Sequence, residues 1–340
     1  MRIAMVINDF GSLGPRQTTA MLGHALLTLG CSLHVCGVAD VGMDEHGHVV
    51  AWSRQASAAP DPAAMVAGLA SAPASEVRLE QLDAVLCRTN PARDDRAGLQ
   101  AGALQLLQLA HDRGLVVLND PFGLARAASK AYLGLFPEFT RPRTITSGDR
   151  ETLRRFVLEL PGPAVLKPAL GTRGLGVFRA DRAERNLNQI LDLLLERGMV
   201  IAQQYVPQAD AGDTRVLVVE GRVLRVDGQP AAIQRIPGRD DFRSNIHAGG
   251  HAAPGSVTAQ MQRVVDAVGP RLVADGQFLV GLDFIGDVLC EANVFSPGGL
   301  FDLERFTKLP FTRRLALAIL ERVRPAADRR PEPEHDARPT

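Results

Sequence analysis

The sequence predicts an α/β protein that opens on a βαβ unit with a parallel sheet and turns later to antiparallel hairpins. Three observations carry this. An apolar run at 3–7 is followed by a loop, a helix-spaced segment and a second apolar run ending at 36. The stretch 214–235 reads as strands punctuated by Glu220-Gly221 and Asp227-Gly228, both hairpin-turn pairs. Two further apolar runs bracket the turn Gly286-Asp287. The length, 340 residues, suits two or three domains and a sizeable core.

Composition excludes several classes. The 38 Lys+Arg balance the 38 Asp+Glu, which argues against a protein that coats nucleic acid, so none is expected as a partner. A local basic cleft stays compatible with that balance. The chain is 46% hydrophobic, as a folded protein is and a disordered one is not. No apolar run approaches the ~20 residues of a membrane helix, so no membrane association is expected. The run at 3–7 is also too short for a signal h-region. Cys31, Cys36, Cys87 and Cys290 form no CxxC pair and have no metal spacing with histidine. They read as buried, reduced thiols of a cytoplasmic protein.

The elements follow in order. Residues 3–7 are a strand and 8–15 a loop. Residues 18–29 place Met21, Leu22, Ala25, Leu26 and Leu29 at helical spacing and stop at Gly30. A strand covers 33–36, and the Ala/Pro/Ser-rich stretch 56–75 reads as a surface connection. A strand at 82–87, a helix at 97–111 and a strand at 116–118 come next, broken by Asn119-Asp120-Pro121. A short helical patch surrounds Lys130 and a strand lies near Thr144. A helix at 149–160, a strand at 164–167, a glycine loop at 171–176 and a strand at 177–179 follow. A helix at 187–195 ends at Gly198, and 200–203 is a strand. After the hairpins, 257–272 repeats apolar residues at Val257, Met261, Val264, Val265, Val268 and Leu272 and is a helix. Strands at 278–285 and 288–292 and a helix at 312–323 close the fold. The charged, Pro-rich stretch 324–340 is expected to be disordered. No internal repeat is present.

Four signals carry chemistry. In the first, Gly171, Gly174 and Gly176 permit close backbone approach to a ligand, and successive N–H groups in such a loop can cradle phosphate. No Gly-Lys-Ser/Thr follows, so this is not a P-loop, and the loop opens a strand, so it is not a dinucleotide fingerprint. It reads as a flexible hairpin lid over phosphates. The second is Lys167, in an apolar strand directly before that loop, with Lys130 at the other side of the segment. A lysine so placed is costly unless it faces an anion. In the third, Asp283 and Glu291 lie on strands joined by a tight turn, and Asn293 shares a face with Glu291. Two carboxylates and an amide oxygen suit Mg²⁺ shared with substrate phosphates; bonding of each carboxylate to an arginine is the alternative. The fourth is an arginine series, Arg215, Arg235, Arg239 and Arg243, suited to bidentate capture of carboxylate or phosphate.

Several segments in order then carry a resemblance. Lys167-Pro168 with its glycine loop, 203–207, 212–216, 235–237 through Gly249-Gly250, 281–283 and 291–297 are similar to the ATP-grasp ligases, and most resemble bacterial-type glutathione synthetases. The likeness covers about 119–320; the first 118 residues match that family's N-terminal domain in pattern and length only. It implies an ATP-grasp fold with an N-terminal βαβ domain. The parts would be a substrate-side domain at 1–121, a lid or central domain at 122–205, and a metal-bearing C-terminal domain at 206–324, with a tail at 325–340.

The resemblance implies an ATP-dependent carboxylate–amine ligase working through an acyl phosphate, with γ-glutamylcysteine and glycine as the favoured substrates. A related ligase with another substrate pair is the alternative. Lys130, Lys167, Gly171, Gly174 and Gly176 would bind ATP phosphates. The backbone of Gln204, Tyr205 and Val206 would read adenine, with Asp213 near the ribose. Asp283, Glu291 and Asn293 would hold two Mg²⁺, with Mn²⁺ as a substitute. Arg215, Arg235, Arg243 and Asn245 would bind phosphate and the acyl substrate. Ser296, Gly298 and Gly299 would receive a substrate carboxylate, and Arg88 and Pro91 match a substrate-side segment. Partners would be these small molecules and copies of the chain in a homo-oligomer. The chain departs from the family's pattern at Leu170, Asn90, His251 and Gly298-Gly299, all where substrate is chosen. His247 and His251 flank Gly249-Gly250 and could face substrate; His46, His48 and Trp52 read as surface loop and packing.

Overall fold

The computed structural model describes residues 1–171, 176–238 and 250–327. Three sheets organise the chain. The first takes β1 (Arg2–Ile7), β2 (Ser32–Gly37), β3 (Val41–Met43), β4 (Val49–Ala56), β5 (Ala74–Arg78), β6 (Ala84–Cys87) and β7 (Val116–Leu118), with α1 (Thr18–Thr28), α2 (Pro62–Ser71) and α3 (Ala97–Asp112) packed around it. Its order is β3-β4-β2-β1-β6-β7, and β5 pairs with β4. Strands β2, β1, β6 and β7 are parallel, as the βαβ opening predicts. Strands β3, β4 and β5 run antiparallel, so the sheet is mixed. The expected surface connection at 56–75 holds the end of β4, α2 and the start of β5. Asp61 caps α2 by accepting from the Ala64 N–H at 2.8 Å, and Pro62 occupies its first turn.

Chain order crosses over at β1: the chain runs to β2 on one side and returns as β6 on the other. Asn8 follows β1 and Arg88 follows β6, so both stand at the carboxyl end of this switch point, where open α/β sheets receive ligands.

A strap connects this unit to the rest: α4 (Pro121–Arg126) and 3-10 turns at Lys130–Leu135 and Glu138–Thr140. Tyr132, Leu133 and Phe136 are buried in the same apolar cluster as Val216, Val264 and Phe284 of the third unit. The second sheet is antiparallel, ordered β10-β9-β11-β8. It comprises β8 (Thr144–Ser147), β9 (Ala164–Pro168), β10 (Phe178–Ala180) and β11 (Val200–Gln204), covered by α5 (Arg150–Glu159) and α6 (Leu187–Leu195) around their own core.

The third sheet is also antiparallel, ordered β17-β16-β12-β18-β19, with β13 on β12. Its strands are β12 (Asp213–Val219), β13 (Arg222–Val223), β16 (Ala232–Ile236), β17 (His251–Pro254), β18 (Leu279–Ile285) and β19 (Val288–Asn293); β14 (Arg225–Val226) and β15 (Gln229–Pro230) form a separate small ribbon. Both hairpin turns carry positive φ at each residue: Glu220 48° and Gly221 74°, then Asp227 49° and Gly228 79°. Helix α7 (Ala259–Ala274) packs on this sheet; α8 (Leu300–Thr307) follows the turn at 296–299, and α9 (Phe311–Ala327) returns to α1. Helix α9 runs past the expected end at 323 and takes in 325–327 of the expected disordered stretch; residues 328–340 lie outside those described.

Candidate active site

The second and third sheets and the carboxyl end of the first enclose a cavity of about 540 Å³. Strand register builds its centre. Arg235 on β16 stands opposite Asp213 on β12, Arg215 on β12 opposite Asp283 on β18, and Asp283 opposite Glu291 on β19. Side chains two apart share a face, so Asp213 and Arg215 point the same way. The result is one charged row across four strands.

The row is tightly paired. Arg215 donates from Nε to Asp283 Oδ1 and from Nη2 to Oδ2, both at 2.7 Å. Arg235 donates to Asp213 at 2.6 Å and to Asp283 Oδ2 at 2.7 Å. Burial alone would raise the Asp283 carboxyl, but the two guanidiniums overcome it and hold it below its ordinary value. Burial likewise opposes the Arg235 charge, and Asp283 and Asp213 outweigh it. Asp213, expected near a ribose, is thus the partner of Arg235.

The expected metal ligands divide. Asp283 is 2% exposed and bonded to both arginines, the alternative weighed for it from the sequence. Glu291 is 35% exposed at its side chain and contacts only Lys130, at 3.4 Å, among the described ion pairs. Asn293 donates its amide to Asp283 Oδ2 at 2.9 Å, which leaves its carbonyl oxygen for another partner. Asp283 Oδ1 accepts a single hydrogen bond among the described residues. Glu291, the Asn293 carbonyl and Asp283 Oδ1 therefore fit a hard divalent cation. No group of three or more His, Cys, Asp or Glu that could hold a metal is found among the described residues.

Both expected lysines reach the cavity. Lys167 is held by Gln203 Oε1 at 3.0 Å, and Gln203 donates in turn to Thr144. Burial lowers the Lys167 pKa, while nearby Glu291 partly restores it. Lys130 bonds the Gly171 carbonyl and Glu291. Gly171 and Gly176 take positive φ, 145° and 69°, and a Cβ at Gly176 would sit 3.3 Å from Pro168. Gly174, Arg239, Arg243, Asn245, His247 and Gly249 lie outside the described residues.

At the expected hinge, the Gln204 N–H donates to Arg143 O at 2.8 Å and the Tyr205 N–H to Pro163 O at 2.9 Å. Among the described residues the Val206 N–H donates to no carbonyl, so it is the donor this segment leaves to the cavity it lines. Tyr205 is fixed by its hydroxyl on Asp210 and by Arg179, 4.1 Å from its ring centroid.

At the opposite end, Ser296 takes a φ of 43° and Gly299 one of 125° as the N-cap of α8. Arg88, 7% exposed, donates from Nε to Thr19 Oγ1 at 3.2 Å and from Nη2 to Pro297 O at 3.1 Å. Burial lowers its pKa to about 10. Thr18 and Thr19 were not singled out in the sequence. They begin α1 and bond the turn, Thr18 Oγ1 accepting from the Leu300 N–H at 3.4 Å. Gln203 and Asn8 were missed too; their signal is a polar residue at the carboxyl end of a buried strand. His251 is exposed on the edge strand β17 and does not line the cavity.

A charged row flanked by two lysines, between a hinge and a glycine loop, on this three-sheet fold, defines the ATP-grasp ligases. A model of the prokaryotic glutathione synthetase N-terminal domain matches residues 1–125, and one of the ATP-grasp domain of the same enzymes matches 129–308. The chain belongs to the prokaryotic glutathione synthetase family. It is 32% identical over 316 residues to a glutathione synthetase of Synechocystis sp., covering 90% of this chain and 94% of that one. It is 36% identical over 233 residues to one of Agrobacterium fabrum, covering 68% and 69%. Its fold is similar to a D-cycloserine synthetase, with a TM-score of 0.64 at 19% identity, covering 94% of this chain and 99% of that one. It is also similar to the D-alanyl-alanine synthetase A of Vibrio cholerae, with a TM-score of 0.58 at 14% identity, covering 95% and 98%.

Proposed function

We propose that the protein is a glutathione synthetase that joins the cysteinyl carboxylate of γ-glutamylcysteine to the amine of glycine and converts ATP to ADP and phosphate. The observation that carries this reading is the row Arg235, Asp213, Arg215, Asp283 and Glu291, with Lys130 3.4 Å from its end, in one cavity. Lys130 and Lys167 neutralise phosphate oxygens, and Val206 receives adenine. The glycine loop, Gly174 included, covers the phosphates. A donor carboxylate oxygen attacks the γ-phosphorus, the bond to the bridging oxygen breaks, and ADP leaves. The deprotonated glycine amine then attacks the acyl carbon, the carbon–oxygen bond to phosphate breaks, and phosphate leaves. One proton is released overall, from the glycine ammonium. Arg215 and Arg235, with Arg243 and Asn245, bind the acyl phosphate and stabilise the charge that develops on it. Ser296, Gly298 and Gly299 present backbone N–H groups to the glycine carboxylate.

Glu291, Asn293 and Asp283 would hold Mg²⁺, two ions in number, with Mn²⁺ as a substitute; the metal offsets phosphate charge and polarises the phosphoryl group. Positioning and charge neutralisation are the protein's main contributions to such chemistry. The 1–121, 122–205 and 206–324 division is supported by the three separate sheets, with 121–140 as the strap from the first to the third. A cytoplasmic setting is supported by four free, buried cysteines. A homo-oligomer is the proposed assembly, to be checked by sedimentation.

The deciding experiment is ADP release from Mg-ATP by the purified protein, with γ-glutamylcysteine plus glycine and with each omitted. Release that needs both supports the reading. Mg-ATP binding without release moves the substrates to another pair.

A further inference from the structure

The Lys167 side chain ends in a compact ammonium that can donate in several directions from a flexible stem, so its aim must come from a neighbour. Among the described residues the hydrogen-bonding neighbour is Gln203, whose Oε1 accepts from Nζ at 3.0 Å. Gln203 is neutral, so it aims the ammonium without cancelling its charge.

Strand register makes this contact. Lys167 on β9 stands opposite Ile201 on β11, and Gln203 follows two residues on, so the two side chains share a face and meet on the diagonal. Gln203 stands in turn opposite Thr144 on β8. The line Lys167, Gln203, Thr144 thus crosses three strands of the second sheet.

The hydrogens give the line a direction. An ammonium only donates, so it requires the amide oxygen of Gln203. The amide NH2 then faces the other way and donates to Thr144 Oγ1 at 3.1 Å. Thr144 spends its single hydroxyl hydrogen on the Pro142 carbonyl, at 2.8 Å, and its oxygen is left to accept. Gln203 is 5% exposed. Without the Thr144 hydroxyl its NH2 would be buried unpaired, a cost it escapes by turning about its own side-chain bonds. That turn takes Oε1 away from Lys167. Lys167 and Gln203 line the cavity and Thr144 does not, so Thr144 reaches the site only through the amide. The backbone ties the same place to the hinge, since Arg143 O accepts from the Gln204 N–H at 2.8 Å.

We propose that Thr144 is a positioning residue for nucleotide binding: from outside the cavity it fixes the Gln203 amide, which aims the Lys167 ammonium at phosphate. This role rests on the reading that Lys167 holds an ATP phosphate, and it names what keeps that lysine aimed. A hydroxyl that merely stitched β8 to β11 would matter to stability and not to ATP.

The test is calorimetric binding of Mg-ATP to the full chain, with no other substrate present. It compares the native protein with Thr144→Val, Thr144→Ser, Lys167→Ala and the Thr144→Val, Lys167→Ala double variant. Valine keeps the branched shape and removes the hydroxyl; serine keeps the hydroxyl. The Kd is expected to rise about tenfold in Thr144→Val and to stay within about twofold of native in Thr144→Ser, because an aimed charge-assisted contact is lost only in the first. Beside Lys167→Ala, Thr144→Val should add less than about twofold, since the ammonium it aims is gone. Thr144→Ala repeats the comparison without the added methyl, and unfolding midpoints without nucleotide show which variants keep the fold. A Kd in Thr144→Val within about twofold of native overturns the proposal, as does a loss that persists in full beside Lys167→Ala or that serine fails to rescue. An unchanged Kd in Lys167→Ala overturns the underlying reading instead.

Discussion

Asp283 and Glu291 stand opposite one another on adjacent strands yet have different surroundings, and their substitutions should separate. Glu291 is part-exposed, and its pair with Lys130 at 3.4 Å is of the kind worth about 0–1 kcal/mol. Glu291→Gln is expected to abolish ADP release while leaving cooperative unfolding at nearly the native midpoint. Normal turnover would remove Glu291 from the metal. Arg235 is buried between two carboxylates, so Arg235→Ala leaves both short of a counter-charge. Its expected cost is about 3–5 kcal/mol, the scale for breaking a buried ion pair, measured by denaturant titration. A loss under about 1 kcal/mol would show that water replaces the guanidinium. Lys167→Ala should weaken ATP binding strongly, since Gln203 holds the amine in place; unchanged affinity would take Lys167 out of the site.

Among elements, the strap between the first and third units depends on Asp275, just after α7. Its carboxylate accepts from the Tyr132 hydroxyl at 2.8 Å, from Arg271 at 2.7 Å and from Arg126 at 2.9 Å. Burial would raise its pKa, but Arg271 and Tyr132 outweigh burial and hold it below the ordinary value. A depressed folded pKa gives stability that is complete above the unfolded value, about 4. That stability is lost as pH falls through the lower folded value. Thermal midpoints of the native chain should therefore fall more steeply below about pH 4 than those of Asp275→Asn, which starts lower at neutral pH. Parallel curves would deny Asp275 this role. The strap is also sterically closed: a Cβ on Gly123 would lie 1.9 Å from the Asp275 carbonyl oxygen. Gly123→Ala must displace backbone and is expected to cost about 1–3 kcal/mol.

Legibility follows the same divide between local and distant causes. The helix expected at 187–195 is α6 to the residue, because its leucine spacing and flanking glycine are local signals. The two hairpin turns are legible because each ends on a glycine, Gly221 or Gly228, which takes positive φ cheaply. Helix α2 was hidden by an Ala-rich text with little contrast between its faces, and α8 by the glycines that cap it. In the site, the residue types were visible and their pairing was not. Nothing in the linear text says that β12 lies between β16 and β18, and that order alone puts both arginines on Asp283.

At the scale of the whole molecule, the cavity takes walls from all three sheets, so its nucleotide should tie them together. A ligand that binds only the folded chain adds about 2.7 kcal/mol at a concentration a hundred times its Kd. ATP with Mg²⁺ at that ratio should raise the unfolding midpoint and make the second and third units melt in one transition. ATP with a chelator should give much less, because phosphate charge would then meet Glu291 and Asp283 without a cation between them. Glu291→Gln removes one of those repelling charges along with a proposed metal ligand. Its stabilisation by ATP should accordingly depend less on Mg²⁺ than that of the native chain. Equal stabilisation of the native chain with and without Mg²⁺ would show that the lysines alone carry the nucleotide, and would leave the carboxylates of β18 and β19 a structural part only.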